Sequence, residues 1–109
     1  MPRLTASFWV QAYLRRLDLA NIPAFIVHKG DETAGAVLVK SNPLDGTATL
    51  FHRTYGADGA RIWDVLGTGP EPEMDALIAR QRSFDRDLWV IEVEDQKGQT
   101  LLDEDGLFG

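Results

Sequence analysis

Apolar residues at Val10, Tyr13, Leu14 and Leu17 recur at i, i+3, i+4 and i+7 within FWVQAYLRRLDLA (8–20). That spacing predicts one buried stripe on a helix, with Gln11, Arg15 and Asp18 on the opposite face. Thr5 or Ser7 supplies an N-cap hydroxyl, and Asn21-Ile22-Pro23 ends the helix because the residue before a proline avoids the α region. The period then changes. Ala24–Lys29, Ala34–Lys40 and Thr47–Arg53 read as strands, separated by Gly30-Asp31-Glu32-Thr33 and by Ser41-Asn42-Pro43-Leu44-Asp45-Gly46.

Connections this short predict two hairpins, with Lys29 opposite Ala34 and Lys40 opposite Thr47. In those registers Ala24, Ile26 and His28 share a face with Val39, Val37 and Gly35, and with Ala48, Leu50 and His52. The other face carries Phe25, Val27, Leu38 and Phe51 among Lys29, Lys40 and Arg53. A fourth strand is expected at Arg61–Leu66, broken by Gly67-Thr68-Gly69-Pro70. A second helix follows from Glu71 to Ser83, with Met74, Leu77 and Ile78 inward and Glu71, Glu73 and Asp75 near its N-terminus, where the helix dipole favours acids.

Leu88–Glu94 (LWVIEVE) opens with four apolar residues, the pattern of an inner strand covered on both faces, and Ala36–Val39 reads the same way. Two doubly buried strands and two helices imply one helix on each face, or one face closed by a partner. The expected fold is therefore a single α+β domain over residues 1–109, a mostly antiparallel five-stranded sheet, with a mixed sheet as the alternative, and two amphipathic helices. A short strand at Thr100–Leu102 and a loose Asp103-Glu104-Asp105-Gly106 complete the expectation.

Composition narrows the function classes. The 109 residues contain no cysteine, which excludes disulfides, thiolate metal sites and a cysteine nucleophile. No apolar run approaches a bilayer-spanning length and the N-terminus has no signal-peptide core, so a cytoplasmic location without membrane association is expected. The net charge of −6 is uneven: residues 1–54 carry six basic and four acidic side chains, residues 55–109 five and thirteen. That balance argues against nucleic acid as a partner.

KGDETAGAVLVK (29–40), NPLDGTATLF (42–51), RSFDRDLWVIEVED (82–95) and SFWVQAYLRR (7–16) together resemble the bacterial family catalogued as domain of unknown function 1491. The resemblance spans nearly the whole chain in family order. It implies the α+β fold and brings no activity, cofactor or site residue.

Among the chemistry-bearing residues, the predicted registers align His28, Gly35 and His52 across three strands, with the histidine Cα atoms roughly 10 Å apart. Histidine serves as acid, base or ligand near neutral pH, and Gly35 leaves room for a close approach. The competing reading is that both rings finish the sheet edge, and it is favoured because no third ligand or nucleophile accompanies them. Gly67-Thr68-Gly69-Pro70 before a helix imitates an anion site, but three carboxylates follow at once. Asp85 and Asp87 suit a turn anchored by Phe84 and Trp89 better than a catalytic pair, and Trp9, Trp63 and Trp89 read as core anchors. The chain thus reads as a noncatalytic binding or assembly module without cofactor or metal. A homodimer or an unidentified protein partner would meet a candidate interface of Phe25, Val27, Leu38 and Phe51. The alternative is a small enzyme or ligand-binding protein using His28 and His52.

Overall fold

The computed structural model describes residues 5–55, 57 and 61–102. In chain order the elements are α1 (Ala6–Leu19), β1 (Ala24–His28), β2 (Val37–Asn42), β3 (Thr47–Tyr55), β4 (Arg61–Pro70), α2 (Glu71–Phe84) and β5 (Trp89–Glu94). The fold is α+β, with a mixed, mostly antiparallel five-stranded sheet in the order β1-β5-β2-β3-β4. Asp103-Glu104-Asp105-Gly106 lies outside the described residues. No helix among those described is long and apolar enough to cross a membrane.

Thr5 caps α1, its Oγ1 accepting the Phe8 N–H at 3.2 Å. The predicted stripe faces inward: Val10, Tyr13 and Leu17 are fully buried, and Trp9 joins them. With Val39, Trp89, Ile91 and Val93 they form the core on one side of the sheet. Tyr13 donates its hydroxyl to the Thr100 carbonyl at 2.7 Å, and burial pushes its pKa up. Residues 100–102 form no strand, yet Leu101 and Leu102 pack on this core. The opposite side is closed by α2, whose Met74 and Ile78 cover Leu38, Ala48, Leu50 and Val90.

The first predicted hairpin does not form. β1 pairs antiparallel with β5, and β5 pairs parallel with β2, so the last strand inserts between the first two. Its Trp89, Val90 and Ile91 are buried on both faces, and only a central position can cover them. The β1–β2 connection becomes a strap across the start of β5. Trp89 Nε1 donates to the Asp31 carbonyl at 2.7 Å, the Asp31 N–H donates to the Asp87 carbonyl at 3.0 Å, and the Ala6 and Ser7 amides donate to Thr33 and Glu32. A Cβ at Gly30 or Gly35 would collide with the Asp87 carbonyl, so both glycines permit the strap to lie this close.

The β2–β3 hairpin forms with a different register, Lys40 facing Leu50 and Ser41 facing Thr49. Pairing runs further into the turn than predicted, and Gly46 carries the expected positive φ, +91°. A shift of three residues exchanges the faces of the strand. It is how a lysine in the middle of the sheet comes to lie under α2. β4 likewise does not stop at Leu66; it continues to Pro70, with Gly67 opposite Leu50 and Gly69 opposite Ala48. Phe84, expected as an anchor, is 82% exposed, whereas Trp89 is 2% exposed.

Candidate binding cleft and sheet edge

α2 packs over β3 and β4, leaving the β1 side of its sheet face uncovered. Between α2 and β1 lies a half-open cleft of about 430 Å³, with Lys40 and Glu92 at its floor, Val27 and His28 on one wall and Ile78, Ala79 and Arg82 on the other. Glu71 and Asp75 also line it.

The floor is a charge network. Lys40 and Glu92 are register partners on β2 and β5, while Glu71 and Asp75 lie one helical turn apart on α2. Lys40 Nζ donates to Glu71 Oε2 at 2.7 Å and to Asp75 Oδ1 at 2.8 Å, and lies 3.3 Å from Glu92 Oε1. Asn42 Nδ2 bridges Glu71 and Glu92 at 3.3 and 3.0 Å. The lysine side chain is only 5% exposed. Burial opposes its charge, but the hydrogen bonds it donates to Asp75 and Glu71 and the charges of Glu92 and Asp75 outweigh that, holding its pKa above the usual lysine range. A charged ammonium hydrogen-bonded to two carboxylates and paired with a third is no nucleophile or base; it fastens α2 to the sheet.

His28 lies at the open end. Partial burial, and then the Arg82 charge, push its pKa below the ordinary histidine value. Arg82 Nε is buried there without a hydrogen-bond partner among the described residues.

The predicted histidine row is present in altered form. β1 bulges between Ile26 and His28, which turns His28 toward α2, and the β2–β3 register places His52 on that same face. His28, Val90, Leu38 and His52 are successive register partners. Three strand spacings, roughly 14 Å, separate the histidines instead of two. Between them lie buried Val90 and Leu38 rather than a gap, because Gly35 is in the strap. Among the described residues no group of three or more histidine, aspartate or glutamate side chains could hold a metal.

The four residues expected to share an interface are also divided. Phe25 and Val27 are exposed on β1, Leu38 is buried beneath α2, and Phe51 packs on the α1 side. Lys40, expected at the rim of that patch, is buried. The intact exposed patch is Phe25, Ile26 and Val27, at 46%, 41% and 39%, three consecutive apolar residues on an edge strand. Sequence reasoning missed Ile26 as a surface residue and missed the Lys40 network. The available signals were Glu92 interrupting an apolar strand and the i, i+4 spacing of Glu71 and Asp75.

Asp85 and Asp87 serve the turn, Asp85 Oδ1 accepting the Asp87 N–H at 3.0 Å. Glu71 and Asp75, at the would-be anion site, are bound to Lys40.

Among curated proteins none matches the chain. A crystal structure of a DUF1491 family protein from Caulobacter crescentus is similar at 40% identity and a TM-score of 0.85, covering 94% of this chain and 97% of that one. An NMR structure of a DUF1491 family protein from the same organism gives 40% identity and a TM-score of 0.81, with 95% and 96% covered. A solution structure of a protein from A. tumefaciens gives 32% and 0.76, with 93% of each chain covered. The model of the family described as protein of unknown function, DUF1491, matches residues 4–103, and the chain belongs to that family.

Proposed function

We propose that the protein is a noncatalytic binding module whose recognition surface is the β1 edge of the sheet together with the adjoining cleft. The observation that carries this reading is the exposure of Phe25, Ile26 and Val27 on an edge strand, where unpaired backbone groups and apolar side chains coincide. The ionisable groups speak against catalysis at the same place: Lys40 is engaged by three carboxylates, and His28 has no second histidine beside it. An added strand would bond along β1, while the cleft would take one of its side chains.

The test compares wild type with Phe25→Glu and Val27→Asp as baits in extract from the native cell, with circular dichroism confirming that each is folded. Hydrogen exchange on a reconstituted complex then locates the contact. The reading expects capture that both substitutions abolish, with new protection at residues 24–28. Undiminished capture by the variants, or protection confined to β4 or α1, overturns it.

A further inference from the structure

From the phase of the β1 hydrogen bonds we infer that the occupant of this edge is β1 of a second copy of the chain, joined antiparallel about a two-fold axis at Phe25. The inference rests on the binding-module reading above and names its partner. The Glu94 N–H donates to the Pro23 carbonyl at 2.8 Å, and Ala24, Phe25 and Ile26 pair in turn with Val93, Glu92 and Ile91. In an antiparallel ladder, hydrogen-bonded and non-bonded pairs alternate. Pro23 and Phe25 therefore direct their backbone groups toward β5, and Ala24 and Ile26 direct theirs outward.

Two outward residues spaced by two are self-complementary. With the axis at Phe25, Ala24 of each copy faces Ile26 of the other, and all four N–H and four C=O groups of these residues enter four new hydrogen bonds. The two Phe25 rings meet at the centre as a non-hydrogen-bonded pair, where side chains are closest. The bulge at Val27 falls just beyond these bonds, so it limits the length of pairing without interrupting it.

Charge agrees with this register. One end of the edge carries Glu94 beside Pro23; at the other Arg82 lies near His28, while the neighbouring Lys29 is paired with Glu32 at 3.1 Å. Antiparallel pairing sets Val27 against Pro23 of the second copy and so brings the Arg82 end toward Glu94 of that copy. Parallel pairing would oppose like charges. Among the described residues the opposite edge offers no such patch: on β4, Ile62 and Val65 are exposed but are separated by Trp63 and Asp64. Five residues of pairing make a small interface, so the dimer should be concentration-dependent.

Because the chain has no cysteine, single substitutions report the register directly. Under mild oxidation Phe25→Cys should form a covalent dimer, since Cα atoms about 4.5 Å apart at a non-bonded pair lie within disulfide reach. Val27→Cys should not, because the two copies of position 27 lie about 13 Å apart in this register. Ile26→Pro removes an outward N–H that the monomer does not use, and should weaken association in sedimentation at least tenfold with an unchanged circular dichroism spectrum. A monomer at every concentration, or cross-linking through Val27→Cys as fast as through Phe25→Cys, overturns the self-pairing. If β1-dependent capture of another protein persists in that case, the binding-module reading survives it; if capture is also indifferent to β1, both fall.

Discussion

The two sides of the sheet are closed by different physics. On the α1 side the contact is apolar and aromatic, with Trp9 stacked on Tyr13 at 5.0 Å and tilted against Trp63 at 5.5 Å. On the α2 side, apolar packing by Met74 and Ile78 covers only part of the helix, and the rest is held by Lys40 among Glu71, Asp75 and Glu92. An apolar contact is tolerant of direction, whereas an ion network demands one placement of the helix and leaves a wet, open border. The cleft lies at that border. The difference teaches that the α1 side carries stability and the α2 side carries orientation.

The largest loss of stability is expected on the α1 side. Trp89→Ala should destabilise the domain by about 3–5 kcal/mol, the usual cost of removing a buried large aromatic, because Trp89 is 2% exposed and also ties down the strap through Asp31. Urea unfolding reads it, and a midpoint equal to wild type would remove Trp89 from the core.

Lys40→Ala tests the other side. Losing one member of a buried ion pair costs about 3–5 kcal/mol in general, and the partial exposure of Glu71 and Asp75 reduces that to about 2–3 kcal/mol here. Lys40→Met, which keeps the stem, should lose less. Because the folded pKa of Lys40 is raised, its contribution is fully present below the unfolded lysine value and is lost only as pH rises through the folded one. The stability gap between wild type and Lys40→Met should therefore be the same at pH 7 and pH 9. A gap that closes across that interval would contradict the network.

A smaller loss, about 1–2 kcal/mol, is expected for Gly46→Val, since a β-branched residue is strained at a φ of +91°. Its carbonyl accepts the Glu71 N–H at 2.9 Å, so the effect should reach the start of α2. Chemical shifts of Glu71 and Asp75 that stay in place would show the turn and helix to be independent.

The smallest effect concerns His28. Proton NMR should find it titrating below the ordinary histidine value, and Arg82→Gln should raise its pKa. For a histidine with a lowered folded pKa, the stability it contributes is present above its unfolded pKa and falls away as pH drops below it. An unshifted titration in both proteins would place Arg82 away from the cleft.

What the sequence determined by itself was local. The i, i+3, i+4 stripe of α1, the acidic start of α2, the positive φ at Gly46 and the doubly apolar β5 each follow from periodicity or backbone sterics within a few residues, and each appears in the structure. Pairing was not local. The short connection from β1 to β2 favoured a hairpin by loop length, but burying Trp89, Val90 and Ile91 on both faces outweighed it and drove β5 between the two strands. A three-residue shift between β2 and β3 then decided which face each side chain took. Lys40 shows the consequence: its position in a strand is legible from the chain, yet its burial depends on carboxylates 31, 35 and 52 residues away, brought to it only by the packed sheet and helix.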